Sequence, residues 1–201
     1  NKGEILNHTD SHPKLLELKI HDVKKEFELA EKKIKSKIGR LQKVVSYPYG
    51  ESNLEIQQLI KEMGYSIGFS QHSSPIHINE HKLALPRFAI NDEFGSIKRF
   101  IQIVNSKALI VSDLKVLTDD SNLEEFQISF STNKIENKVN CYINNNAILK
   151  KKTIDEKIIN LKITNLKKNK RYRLNCTYFD KKNTLFWYGK MIKITQESII
   201  F

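Results

Sequence analysis

The spacing of apolar residues changes near residue 110, and this change constrains the fold more than any other feature of the chain. Upstream, Val23, Phe27, Ala30, Ile34 and Ile38 recur in steps of three and four with Lys and Glu between them. That period predicts an amphipathic helix over residues 22–38. Residues 43–47 (KVVSY) predict a short buried strand, ended by Pro48 and Gly50. Asn53 is placed to cap a second helix carrying Leu54, Ile56, Leu59, Ile60 and Met63, with Gly64 placed to stop it. Residues 65–69 and 83–88 predict two more strands, and Phe94, Ile97, Ile101 and Val104 predict a helix after Asp92. Strand and helix thus alternate, the pattern of a parallel α/β layer or barrel.

Downstream the period becomes two. Phe126, Ile128 and Phe130 alternate with polar residues, as do Val139, Cys141 and Ile143, then Ile159, Leu161 and Ile163, then Tyr172, Leu174 and Cys176, and finally the residues around Phe186–Ile194. Turn-rich clusters at Asn144–Asn146 and Asp180–Asn183 separate these runs. Short alternating strands at this spacing predict a small antiparallel β-sandwich. The expected organisation is therefore two domains, residues 1–109 and 110–201, and 201 residues suffice for a core in each. No apolar run approaches the roughly 18–20 residues of a membrane-spanning helix.

Cys141 and Cys176 are the two cysteines, both in predicted strands. They are either small buried hydrophobes or a disulfide closing a long loop, worth about 4 kcal/mol by chain entropy. The disulfide is the favoured reading, and it implies an oxidising compartment. The net charge of +11 comes from lysines spread along the chain, without clustered stacking aromatics or a nucleic-acid motif. It reads first as a solvated basic surface and otherwise as one that attracts anionic polysaccharide or membrane, with no reason to expect a nucleic-acid partner.

Chemistry concentrates in Asn7-His8-Thr9-Asp10-Ser11-His12-Pro13. Two imidazoles four residues apart can share a metal ion where a strand runs into a helix, and Pro13 suits the first turn of such a helix. The carboxyl edge of a parallel sheet is where sites on this architecture form. By itself, a histidine pair at this spacing reads better as two surface residues.

In order, HTDSHP, a helix, SYPYGESN before a second helix, GYSIGFSQHSS and ALPRF resemble the NodB-homology polysaccharide deacetylases, metal-dependent carbohydrate esterases on a distorted (β/α) barrel. The resemblance covers residues 1 to about 105. The second half, through VNCY, RLNCT and FWYGK, more loosely resembles the Ig-like β-sandwich appended to some bacterial members. The fold expected is a partial (β/α) barrel of NodB type followed by a small antiparallel β-sandwich.

The resemblance implies hydrolysis of the amide C–N bond of N-acetyl groups on an amino-sugar polysaccharide. It makes His8 and His12 ligands of a divalent metal, usually Zn2+, and the backbone N–H of Tyr49 an oxyanion donor, with Tyr47 and Pro48 beside it at the substrate. The family's TFDDG-like motif, source of a third ligand and a general base, is absent, and Asp119-Asp120 stand in the wrong context. The chain is thus expected to start at the barrel's third strand, to leave an open edge where a partner could associate, and to be impaired as an enzyme.

The family's late LxH histidine is also missing, which leaves His72 as the positional candidate for the acid or as a loop histidine without a role. Ser46 stands where the family has an arginine, and Arg87 is either its replacement from another strand or a structural ion-pair partner. Asp10 supports the ligands or caps the following helix, while His21, His77 and His81 read as surface residues. An extracytoplasmic location follows from this reading. Two rivals stand beside it: a non-catalytic carbohydrate-binding or scaffold protein with this fold, and a basic adhesion domain made by residues 110–201 alone.

Overall fold

The computed structural model describes residues 3–117, 126–132, 138–144, 150–155 and 158–201. They form two compact units, one from residues 1–71 and 78–87, the other from residues 72–77 and 88–201.

In the first unit, four chain segments run side by side in parallel. Asn7 bridges Val45. Val45 lies in β1 (Val44–Ser46), which pairs with β2 (Ile67–Phe69) in the register Val44↔Ile67 to Ser46↔Phe69. Phe69 then bridges Leu85. Backbone bonds extend the array beyond these bridges: Ser46 N–H donates to Asn7 O at 3.0 Å, and Ser70 N–H to Leu85 O at 2.8 Å. The order along the sheet is the order along the chain, as helical crossovers between parallel neighbours require.

Helix α1 (Ile20–Ile38) supplies the first crossover and buries Val23, Phe27 and Ala30, the apolar stripe of its sequence. It ends where Gly39 turns left-handed and its N–H reaches back to Lys35 O. Helix α2 (Leu54–Glu62) supplies the second crossover, with Asn53 Oδ1 accepting from Ile56 N–H at 2.9 Å. Leu15, Val23, Phe27, Val45, Tyr47, Ile56, Ile60, Tyr65 and Leu83 form the core between helices and sheet.

Two local expectations are corrected. No strand spans 83–88: Leu85 makes a single bridge, and Pro86, lacking an N–H, cannot continue the ladder. Pro13 does not open α1 either. A 3-10 turn (Leu15–Glu17) intervenes, and α1 begins seven residues beyond that proline.

In the second unit, α3 (Ile97–Val104) starts at Ser96, whose Oγ accepts from Arg99 N–H, and not at Asp92. Its apolar residues Ile97, Phe100, Ile101 and Val104 are between 50% and 74% exposed. Arg99, on another side of the helix, lies over the Trp187 ring. The β-strands are β3 (Lys107–Ala108), β4 (Val111–Val116), β5 (Phe126–Thr132), β6 (Asn140–Ile143), β7 (Lys150–Asp155), β8 (Ile158–Ile163), β9 (Lys170–Phe179), β10 (Leu185–Ile194) and β11 (Ile199–Ile200). One sheet runs β11-β10-β9-β6, with β3 parallel on β10; the other runs β4-β5-β8-β7.

Ile128, Phe130, Ile159, Leu161 and Ile163 of one sheet and Cys141, Leu174, Cys176, Ile192 and Ile194 of the other share a single core. Two antiparallel sheets burying alternate residues against each other make a sandwich. Cys141 and Cys176 sit directly opposite on β6 and β9 and are disulfide-bonded, as favoured from the sequence. Segment 72–77 lies against β10: Ser74 Oγ donates to Trp187 O, and a Cβ at Gly189 would stand 2.2 Å from Ser73 O. Only glycine allows that approach.

Taken together, the chain is an α/β protein with one parallel array and antiparallel sheets. The described residues of the first unit form an open array and not a closed barrel.

Candidate active site

The carboxyl ends of the parallel segments converge on one cluster. Asn7 ends the first segment, and its fully buried side chain ties three parts of the unit together. Its Oδ1 accepts from Thr9 N–H at 2.9 Å, while its Nδ2 donates to Phe27 O and to the Tyr65 hydroxyl. Tyr65 in turn meets Glu31, which Lys43 holds at 2.5 Å. Burial pushes the Glu31 carboxyl up, but hydrogen bonds from Lys43 and Tyr65 and the charges of Lys43 and Lys35 outweigh it, leaving the group below its ordinary value. Burial, and then Glu31 beside it, push the Tyr65 phenol up.

One residue beyond Asn7, the exposed His8 ring places Nδ1 2.5 Å from Ser46 O. A carbonyl can only accept, so Nδ1 carries a proton, and in the neutral ring Nε2 then keeps its lone pair. His8 and His12 face each other edge to face with ring centroids 4.8 Å apart, and the Tyr49 ring packs on His12 at 4.7 Å. Thr9, His12 and Tyr49 all have left-handed backbones, with φ of 65°, 58° and 56°. Each costs roughly 1–2 kcal/mol for a residue with a Cβ. Three such residues in one cluster require outside support.

Glu26 of α1 provides part of that support. Its Oε2 accepts from Asp10 N–H at 3.0 Å and Ser11 N–H at 2.8 Å, and its Oε1 accepts from Ser11 Oγ at 2.9 Å. Lys33, two turns further along α1, pairs with Asp10 at 2.5 Å. Asp10 therefore neither caps α1, whose N-cap is Lys19, nor bonds a site histidine. Helical spacing in the sequence shows which face of α1 is polar but not which loop returns to it. Glu26 was missed for that reason.

The remaining candidates are not brought into this cluster. Tyr47, expected at the substrate, is fully buried in the core, and its hydroxyl donates to Leu83 O at 2.8 Å. Burial pushes its phenol up. Pro48 is buried as well, so of the YPY segment only Tyr49 reaches the surface. Gly50 completes the turn at φ 71°, where a Cβ would lie 2.3 Å from Gln71.

Arg87 is half-buried and donates its Nε to Ser70 O at 2.8 Å, tying down the chain just past β2; among the described residues it forms no ion pair. His72 belongs to the second unit and is buried. Burial and then the charge of Lys190 push its imidazole down to about 3. Such a ring is neutral near pH 7 and has no spare proton for a leaving amine. His21 and His81 are exposed and His77 is half-buried. Asp119 and Asp120 lie outside the described residues. A cleft of about 200 Å³ lined by Gly3, Glu4, Ile5, Ile38, Arg40 and Gln42 sits at the amino ends of the parallel segments and includes none of these groups.

The cluster fits two imidazole ligands of one cation: the rings face each other and His8 is held in the tautomer that ligation needs. Among the described residues no group of three or more His, Cys, Asp or Glu could hold a metal. The described residues thus bring two candidate ligands together without a third.

The paired imidazoles and the left-handed tyrosine turn lie at the carboxyl edge of a parallel α/β array, the edge where sites form in this class of protein. Residues 1–68 match the polysaccharide deacetylase family. Among solved structures, the Streptococcus pyogenes deacetylase PplD in complex with acetate is similar at 19% identity and a TM-score of 0.45, over 49% of this chain and 43% of that one. The chain therefore spans less than half the length of that protein. No curated protein matches it.

Proposed function

We propose that the chain is part of a metal-dependent polysaccharide N-deacetylase, with His8 and His12 holding the cation, and that residues 110–201 serve as its accessory sandwich domain. The observation that carries this reading is the His8 Nδ1 contact with Ser46 O, which leaves Nε2 free beside a second imidazole. A divalent cation there, zinc by analogy with the family, would supply Lewis acidity at the scissile amide. The left-handed turn at Tyr49 presents backbone at the same edge, where an N–H can stabilise a developing oxyanion. The net reaction adds water across the amide and releases acetate and the free amine of the sugar.

The described residues offer the two histidines neither a third ligand nor a carboxylate base, so this chain alone is expected to hydrolyse weakly or not at all. The disulfide supports an extracytoplasmic location. No helix among the described residues is long and apolar enough to cross a membrane. The net charge of +11 would favour an anionic polymer. The outer edge of the Asn7 segment, which no strand pairs among the described residues, is where we place any partner contact.

A second reading, a carbohydrate-binding protein on the same scaffold, draws support from Ser46 at the arginine position and the neutral, buried His72. Zinc titration and acetate release from acetylated chito-oligosaccharide separate the two. Zinc binding lost in both His8→Ala and His12→Ala supports the enzyme reading, even where acetate release by this chain is weak or absent. Oligosaccharide binding without any zinc dependence supports the scaffold.

A further inference from the structure

We propose that Glu26 is the positioning residue of the histidine pair, an inference that rests on His8 and His12 being ligands. Its carboxylate engages the loop between them at three points, the Asp10 and Ser11 N–H groups and Ser11 Oγ. Both oxygens are used, and all three bonds are charge-assisted. They grip the two residues midway between Thr9 and His12, whose left-handed backbones set the direction of the second ring.

Asn7 holds the loop's entry by accepting from Thr9 N–H. Between them, Asn7 and Glu26 fix a segment that has no sheet or helix bonding of its own. Without Glu26 the loop can relax toward ordinary backbone geometry, and His12 turns away from His8. Glu26 touches neither imidazole, so it acts through the loop alone.

The test uses the full chain, zinc with a competing chelator, and cobalt as a spectroscopic probe. Glu26→Gln keeps the size of the side chain but puts a donor where an acceptor is needed. It is expected to weaken zinc binding by roughly 10-fold, the low end of the loss seen when a group bonded directly to a ligand is removed, because Glu26 acts through the loop. The visible spectrum of the cobalt-loaded variant should also change at saturation, which a general loss of stability would not cause. Glu26→Asp, still charged but one methylene shorter, should fail to restore affinity.

Glu28→Gln, an exposed change on the same helix, should bind as the unaltered chain does. If Glu26→Gln does not fold, Ser11→Ala removes one of the three bonds and should give a smaller, several-fold loss. Unaltered affinity and cobalt spectrum in folded Glu26→Gln, or unaltered affinity in Ser11→Ala where that variant is needed, would overturn the role of Glu26 and leave the ligand assignment standing. No zinc binding by the unaltered chain would overturn both.

Discussion

His72, read from sequence as a candidate acid or as a loop histidine without a role, is buried in the structure. It is neutral in the folded state down to about pH 3, whereas the unfolded chain protonates it near 6.5. Between those values the unfolded state binds the extra proton, so stability falls as pH falls, by up to about 1.4 kcal/mol per unit for this one group. Above the upper value the term is flat. Urea titrations between pH 3 and 7 should show this slope, and His72→Gln should reduce it.

Tyr47 carries a similar lesson. Tyr47→Phe should cost about 1 kcal/mol, because Leu83 O loses its donor in the core, and it should leave zinc affinity unchanged. A large drop in zinc affinity with stability intact would return Tyr47 to the site. Burial separates Tyr47 from Tyr49, and two tyrosines flanking one proline gave no sign of which would turn inward. The His8–His12 spacing, by contrast, was legible, since the five residues between Asn7 and Pro13 confine both rings to one loop.

Among elements, those with a long apolar period and a marked end were readable. Helix α1 begins two residues before its expected start and ends at the expected Ile38. Helix α2 uses the expected Asn53 cap. Asn53→Ala should cost about 1 kcal/mol of thermal stability, measurable by calorimetry. Helix α3 was legible as a helix but not in its setting: an apolar stripe ordinarily turns inward, and here Arg99 packs on Trp187 while the stripe faces solvent. The segment 83–88 failed as a strand because Pro86 allows one bridge and no ladder.

On β6 and β9 the two cysteines lie directly across from each other. Replacing both with serine should lower stability by about 2–4 kcal/mol through the freed loop of the unfolded chain. The melting of the sandwich unit, followed through Trp187, should report it. An unchanged melting temperature would mean that the core of the two sheets holds those strands without the bond.

At the scale of the molecule, the change of period marks where the antiparallel strands begin, while the second compact unit, apart from residues 72–77, starts upstream at residue 88 and includes α3 and the parallel β3. It did not show that residues 72–77 leave the first unit to lie along β10, because that excursion depends on a missing side chain at Gly189 and on Ser74 reaching a backbone carbonyl. Contacts of this kind have no periodic signature. The array was likewise expected as part of a barrel, and the described residues give four parallel segments with an open outer edge.

The account depends on His8 and His12 binding one ion together, and X-ray absorption at the zinc edge of the metal-loaded chain reads this directly. Two imidazole nitrogens per zinc are expected, falling to one in His8→Ala and in His12→Ala. A zinc environment without imidazole, or one identical in all three proteins, would contradict it.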